Sequence, residues 1–331
     1  MGDLMLDEYR HGHVERISPE APVPIFRVVS SESTLGGAGN VVRNLRGLHV
    51  EVMVVGVLGE DETAERVVEL LKAQGVDGCG IVRDGQRKST RKVRFVSMEH
   101  GQQVFRMDEE SAHAVSGGVE KQIVELIRER AAEAQVILCS DYLKGVLTER
   151  VLKAAFEAGR KHGVPAIVAP KDSDPVKYDG ANVLMPNVKE LSRLVGTPAN
   201  GNGWLMDSAR RLTASLGLEA VLVTRGSEGM SLFEPEQGGL RRVDIPTVAR
   251  KVYDVTGAGD TALAAFAAAI ASGADRETAA HLANVAAGVV VGKHGTATAG
   301  LEEIQDHLIE EELQERRTGG RRKAVRTASS E

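Results

Sequence analysis

The sequence predicts an α/β fold: a mostly parallel sheet with helices on both faces, and a small antiparallel sheet beside it. Three observations lead there. Short β-branched runs alternate with longer stretches of helical periodicity. Two segments near the N-terminus alternate apolar and polar residues with no helix between them. The last third holds two Ala/Val-rich stretches that read as helices buried on most sides.

Residues 50–57 (VEVMVVGV) read as a buried strand, followed by a helix over 62–75 that ends at Gly75. A helix over 119–134, with Ile123, Ile127 and Ala131 at helical spacing, leads into a strand over 135–140. A helix over 151–162 places Leu152 and Phe156 on one face, and strands follow at 164–169, 181–185 and 220–224. Parallel sheets of this kind bind ligands at the carboxyl ends of their strands. Residues 22–29, 89–97 and 102–108 form the exceptional sheet, with a hairpin turn at 98–101. This sheet either covers a site or extends one edge of the main sheet. Helices are expected over 257–272, 276–292 and 301–313.

The chain has 331 residues, with 41 Lys+Arg against 47 Asp+Glu and 42% hydrophobic residues, which suits a soluble protein of one or two domains. A net charge of −6 and 3% aromatic residues argue against nucleic acid or an anionic membrane as main partner. No apolar run reaches the ~18 residues of a membrane span. The N-terminus has no secretory pattern. Cys79 and Cys139 are the only cysteines. A reduced cytoplasmic protein with two buried, inert thiols is expected.

The strongest chemical feature is Tyr253-Asp-Val-Thr-Gly257-Ala258-Gly259-Asp260-Thr261. A β-like segment meets two glycines at the start of an apolar helix. Unpaired N–H groups and the positive end of the helix dipole then make an anion seat. Asp260 in the first turn is either a helix-favouring charge or a general base for an attacking hydroxyl. The apolar helix behind it places this end in the interior and favours the base. A phosphate cradle beside a base suggests phosphoryl transfer to an alcohol. Two other phosphate motifs fail. Gly288–Lys293 has the wrong glycine spacing for a P-loop and ends a helix, and residues 37–42 lack the third glycine of a dinucleotide fingerprint. Gly36-Gly37-Ala38-Gly39-Asn40 is weak evidence alone, although Asn40 suits sugar hydroxyls. Asp7 has a similar setting. His11 and His13 lie near no Cys or carboxylate cluster, so a surface or cover role is expected for them.

Residues 36–40 and 254–261 resemble the paired signatures of the ribokinase-like (pfkB) carbohydrate kinases. Further motifs are similar to the D-glycero-β-D-manno-heptose-7-phosphate kinases of lipopolysaccharide precursor synthesis. These are Gly2-Asp3-x-Met5-Leu6-Asp7, residues 16–24, Ser140-Asp141-Tyr142-x-Lys144-Gly145, Pro186-Asn187-x-x-Glu190 and Val290-Val-Gly-Lys-x-Gly-Thr296. The resemblance implies a three-layer α/β/α ribokinase-like domain over 1–313, with lid segments at about 8–30 and 88–108; the polar, basic composition of 314–331 reads as a disordered tail. It implies ATP-dependent phosphorylation of the anomeric C1 hydroxyl of the heptose 7-phosphate, with Mg²⁺ and a monovalent cation as cofactors. The alternatives are a kinase for another sugar or sugar phosphate, and a decayed, non-catalytic binding homologue.

Residue by residue, the resemblance makes Asp260 the base and Gly257, Ala258 and Gly259 the anion hole. Asn187 and Glu190 would place Mg²⁺, through water, and the nucleotide phosphates. Read from the sequence alone, the same two residues equally fit a helix-capping pair. Thr224, Gly226, Glu228, Gly229 and Asn284 would contact nucleotide. Asp7, Gly37 and Asn40 would hold sugar hydroxyls, and Asp141 and Lys144 would lie beside substrate. Arg94, Arg106, Lys144 and Lys171 are the candidates for the substrate's phosphate, Arg106 and Lys171 foremost. A homodimer clasped through the lid is implied. Many relatives fuse this kinase to a nucleotidyltransferase, and a stand-alone form is expected here. Relatives also carry a short apolar strand before Gly-Asp-x-Met-Leu-Asp. Without it, an unfilled slot in the main sheet is expected.

Overall fold

A computed structural model describes residues 1–310 and 313, apart from 100, 202, 250, 251 and 294. The expected basic tail lies outside the described residues. β1 (Leu4–Ile17) and β2 (Pro24–Gly37) form a long hairpin running into α1 (Ala38–Gly47). β3 (Gly56–Leu58), α2 (Glu62–Ala73) and β4 (Ile81–Arg83) make a parallel βαβ unit. β5 (Thr90–Ser97) and β6 (Gln103–Glu109) form a second hairpin. There follow α3 (Gly117–Arg130), β7 (Ile137–Ser140), α4 (Glu149–His162), β8 (Ala166–Ala169), β9 (Val183–Leu184), α5 (Val188–Val195), α6 (Trp204–Leu216) and β10 (Ala220–Thr224). β11 (Met230–Glu236), β12 (Gly239–Ile245), α7 (Ala258–Ala271) and α8 (Arg276–Val291) complete the order. Residues 301–310 are helical, as the amphipathic pattern predicts.

The main sheet has the order β12-β11-β10-β9-β8-β7. Its four strands β7–β10 are parallel, and β11 and β12 add an antiparallel edge. Alternate residues of one strand enter opposite cores, because strand side chains point to alternate faces. Val168, Leu184, Val221 and Val223 pack with α3–α6. Ile167, Val183, Ala220 and Leu222 pack with α1, α7 and α8. This is the expected three-layer arrangement, and it explains why these strands read as continuous apolar runs.

The lid is a four-stranded sheet, β2-β1-β5-β6. Both hairpins are antiparallel, but β1 and β5 join them in parallel register, Asp7 opposite Lys92 and Tyr9 opposite Arg94. β1 runs from buried Leu4 outward to exposed Ile17 without a break, so the lid is rooted directly in the body.

Two expectations need correction. The strand over 50–57 shrinks to Gly56–Leu58, and residues 50–54 instead line a groove of about 650 Å³. Val41, Leu45, Val52, Val136 and Ala267 face this groove. Gly2 donates to Val55 O at 3.1 Å and pairs with Ser140, and the Met1 amino group donates to Leu138 O at 2.6 Å. Met1–Asp3 therefore spans one end of the gap between β3 and β7. The second correction is Cys79, which is exposed, whereas Cys139 is buried as expected.

Candidate active site

Local sequence rules place the candidate base. Gly257 adopts φ 82° at the N-cap of α7, and a Cβ there would stand 2.9 Å from Asn40 Nδ2. Only glycine admits both this backbone and this approach. No side chain caps α7. Ala258 N–H is bonded to Val255 O, so it is withdrawn from the expected anion hole. The amides of Gly257, Gly259 and Asp260 carry no hydrogen bond to a described residue and remain for an anion.

Asp260 is half-buried. Its Oδ2 accepts from Asn40 Nδ2 at 2.9 Å and its Oδ1 accepts from the Tyr142 hydroxyl at 2.7 Å. Burial raises its carboxyl to about 6, against the opposing effects of these two donors and the Lys171 charge. Asn40 is fixed by its helix. Asn44 donates to Asn40 O, and Thr261 donates to Asn44 Oδ1, which ties α1 to α7. Gly37 caps α1 at φ 57°, where a Cβ would lie 2.5 Å from Asp3 O, so it shapes the turn from β2 into α1.

Beyond Asn40 a cavity of about 800 Å³ opens between lid and body. Tyr9, His11, Thr34, Arg43, Arg94 and Thr296 line it. The Tyr9 hydroxyl bonds Thr296 Oγ1 at 2.7 Å, joining lid to body. Asp7 is buried, and Arg94 Nη1 donates to its Oδ1 at 2.6 Å. Arg43 donates from Nη1 to Thr296 O at 3.1 Å and makes no ion pair with a described residue. Burial lowers its pKa, with Tyr9 and Asp7 opposing. Arg43 thus puts a half-buried guanidinium with no described ion-pair partner on the wall of a cavity that Glu32 and Asp254 also line, and guanidinium chemistry suits an anion there.

The other predicted cations are engaged elsewhere. Arg106 shares the Arg94 face, but β6 is one strand farther out. Its guanidinium is 47% exposed and paired with Asp108, so the structure does not bring it to the cavity. Lys144 pairs with Glu110 at 2.7 Å, and Lys171 pairs with Glu190. Asp141 is buried behind the site, accepting from Lys177 Nζ at 2.7 Å and the Tyr178 hydroxyl at 2.8 Å. It anchors the loop instead of facing substrate. His11 and His13 lie in the lid, paired with Glu32 and Glu99.

Asn187 and Glu190, expected either as phosphate and Mg²⁺ ligands or as a helix-capping pair, are bonded to each other at the start of α5. They form a reciprocal capping box: Asn187 Oδ1 accepts from Glu190 N–H at 3.0 Å, and Glu190 Oε2 accepts from Asn187 N–H at 2.8 Å. Glu190 Oε1 is left to Lys171. Thr224 bridges to Asn187, and Gly226, Glu228 and Gly229 form the turn after β10. Asn284 is buried and its amide donates to Pro246 O at 2.8 Å, which pins the loop after β12. The described residues hold no cluster of three or more His, Cys, Asp or Glu side chains suited to a metal. One carboxylate with substrate phosphates and water is enough for Mg²⁺; Glu190 is the carboxylate here, with its oxygens held by Asn187 N–H and by Lys171, so it would reach the ion only through water.

Sequence reasoning did not single out Tyr142, Arg43 or Asp3. Tyr142 and Asp3 sit inside quoted motifs. Arg43 follows Asn40 at the i, i+3 spacing that shares a helix face.

These features define a class. The chain belongs to the pfkB family of carbohydrate kinases, phosphotransferases acting on sugar hydroxyls, whose family model (pfkB family carbohydrate kinase) matches residues 2–304. Its curated relatives include the bifunctional protein HldE of Geotalea uraniireducens (strain Rf4), 48% identical over 304 residues. That match covers 92% of this chain and 61% of the relative. The bifunctional protein HldE of Bradyrhizobium diazoefficiens (strain USDA 110) is 42% identical over 309 residues, 93% of this chain and 62% of that protein. The chain thus spans about three-fifths of the length of these relatives. Among solved structures, phosphofructokinase-2 from Escherichia coli in complex with potassium superposes with a TM-score of 0.78 at 21% identity, covering 92% of this chain and 95% of that one. Arabidopsis thaliana ribokinase complexed with ribose and ATP gives 0.72 at 24% identity, covering 93% and 96%. At such identities these two define the fold alone.

Proposed function

We propose that the chain transfers the γ-phosphoryl group of ATP to the anomeric C1 hydroxyl of D-glycero-D-manno-heptose 7-phosphate, giving heptose 1,7-bisphosphate and ADP. The observation that carries this reading is Asp260, held by two donors at an uncapped helix start and linked through Asn40 to Arg43, a cavity-lining guanidinium that makes no ion pair with a described residue. Asp260 accepts the C1 hydroxyl proton as the oxygen attacks the γ-phosphorus in line. The amides of Gly257 and Gly259 bind the charge developing on the transferred group. Asp7 and Asn40 orient sugar hydroxyls, and Arg43 with Arg94 receives the 7-phosphate. Thr224, Gly226, Glu228 and Gly229 border the nucleotide, and Asn284 holds the loop beside it. Glu190 and Asn187 would hold Mg²⁺ through water, which when bound neutralises charge on the nucleotide phosphates. The lid keeps water out as substrates bind.

The heptose assignment rests on the motif resemblance and on the relatives' identity. A substrate panel tests it. Heptose 7-phosphate should exceed ribose, fructose and fructose 6-phosphate in kcat/KM by at least tenfold. A flat panel would return the chain to a broad sugar kinase, and ATP binding without turnover would make it a non-catalytic homologue. We also propose a cytoplasmic homodimer clasped through the lid, whose outer face carries the stacked rings of Phe95 and Phe105. Phe105 is 46% exposed, so Phe105→Glu should yield monomers in size-exclusion chromatography.

A further inference from the structure

Tyr142 has no role in the reaction just described, yet it touches the base. Its hydroxyl donates to Asp260 Oδ1 at 2.7 Å, opposite the Asn40 bond to Oδ2. Its ring carries two ammonium contacts, Lys171 Nζ at 5.5 Å and Lys92 Nζ at 5.9 Å from the centroid. One comes from the nucleotide side, the other from the lid.

The backbone beneath it is pinned more tightly than a surface loop needs. Buried Asp3 accepts three amides of that loop: Tyr142 at 2.7 Å, Lys144 at 3.1 Å and Val146 at 3.2 Å. Asp141 accepts a fourth, Leu143 N–H at 2.9 Å. Leu143 is thereby held at φ 56°, a conformation disfavoured for leucine. Burial raises the Asp3 carboxyl above its usual value, so the molecule carries an unfavourable buried acid that orders this loop. A disfavoured leucine backbone and a buried carboxyl thus converge on the loop that carries the Tyr142 hydroxyl.

We propose that Tyr142 is the positioning residue for the base, fixing the plane of the Asp260 carboxylate so that a remaining lone pair of Oδ1 meets the acceptor hydroxyl. A carboxylate oxygen has two lone pairs, so the Tyr142 bond leaves one at Oδ1. With Asn40 alone, the carboxylate would pivot about a single bond to Oδ2. The inference rests on the proposed role of Asp260 as base.

Tyr142→Phe tests it, because the ring, its packing and both lysine contacts persist and one oxygen is lost. The groups facing Asp260 are Asn40 from α1, Asp7 from β1, Lys171 after β8 and Tyr142 itself, and only the last changes. kcat should fall about tenfold or more, with both KM values within about twofold. The acid limb of the kcat/KM profile, which reports the free enzyme, should move above its parental position near pH 6, since a donor to the ionised carboxylate is gone. A kcat within twofold of parent and an unmoved limb overturn the proposal.

A second measurement separates it from the assigned activity. In carboxyl-¹³C-Asp protein, the resonance missing from Asp260→Asn is Asp260. Its titration should shift upward in Tyr142→Phe, even if no sugar is turned over. An upward shift without turnover sustains the pair and removes the base assignment. An unchanged titration removes the pair.

Discussion

The main sheet and the lid put their side chains to opposite uses. In β10, Ala220, Val221, Leu222 and Val223 are wholly buried, and the strand contributes to the site through its carboxyl end, where Thr224 bridges to Asn187. In the lid, β1 and β5 alternate faces. Asp7, Tyr9 and His11 of one strand lie beside Lys92, Arg94 and Val96 of the other, toward the body. The body thus supplies backbone and caps, and the lid supplies charged side chains. Chemistry that depends on amides should resist side-chain substitution on the body side. Substrate choice should be sensitive to substitution around the lid cavity.

The largest expected effect lies where the two meet. Asp260→Asn should lower kcat by about 10³-fold, within the range of a lost general base, while ATP affinity stays near parental. Its stability should change in the opposite sense. The folded-state carboxyl is raised to about 6, so its favourable contribution is complete at low pH and lost as pH rises through 6. The neutral variant lacks that loss. Its melting temperature relative to parent should be higher at pH 8 than at pH 5. An equal difference at both values would mean that the carboxyl is not desolvated.

Next comes the lid cavity. Arg43→Ala should raise KM for the phosphorylated sugar by about 30- to 100-fold, as expected when a charged hydrogen bond worth about 2–3 kcal/mol is lost. The unphosphorylated sugar should be affected less than threefold. Arg106→Ala should change neither, because its guanidinium pairs with Asp108 on the outer strand. If Arg106 has the larger effect, the lid closes much farther over substrate than Tyr9–Thr296 contact implies.

This difference also marks what was legible in the sequence. Long-range order on the body side is written locally. Five-residue β10 and the capped starts of α4 and α5 follow from apolar runs and cap residues, so their place could be read directly. Asp260 was legible because glycines, helix start and acid are contiguous. The partners of long side chains were not, since pairing depends on which strand lies outermost. Arg94 and Arg106 differ by a strand position that no spacing rule encodes, and Arg43 owes its role to a cavity built by residues 9 to 296. Residues 50–55 had a strand's composition but lacked strand neighbours on the groove side.

The smallest effect is on the body side, at Asn187, which caps α5 and which we propose also positions phosphate. α5 has only eight residues and depends on its capping box at one end and Gly196 at the other. Asn187→Ala should cost about 1 kcal/mol, roughly a 2 °C fall in melting temperature. That variant alone cannot separate a cap from a ligand-facing amide. Asn187→Asp can, because aspartate caps as well as asparagine but adds a negative charge beside Glu190. It should melt within about 1 °C of parent and raise KM for ATP about tenfold by repelling phosphate. A parental KM would leave Asn187 as a structural cap, and would move nucleotide recognition on the body side wholly onto backbone groups at the strand ends.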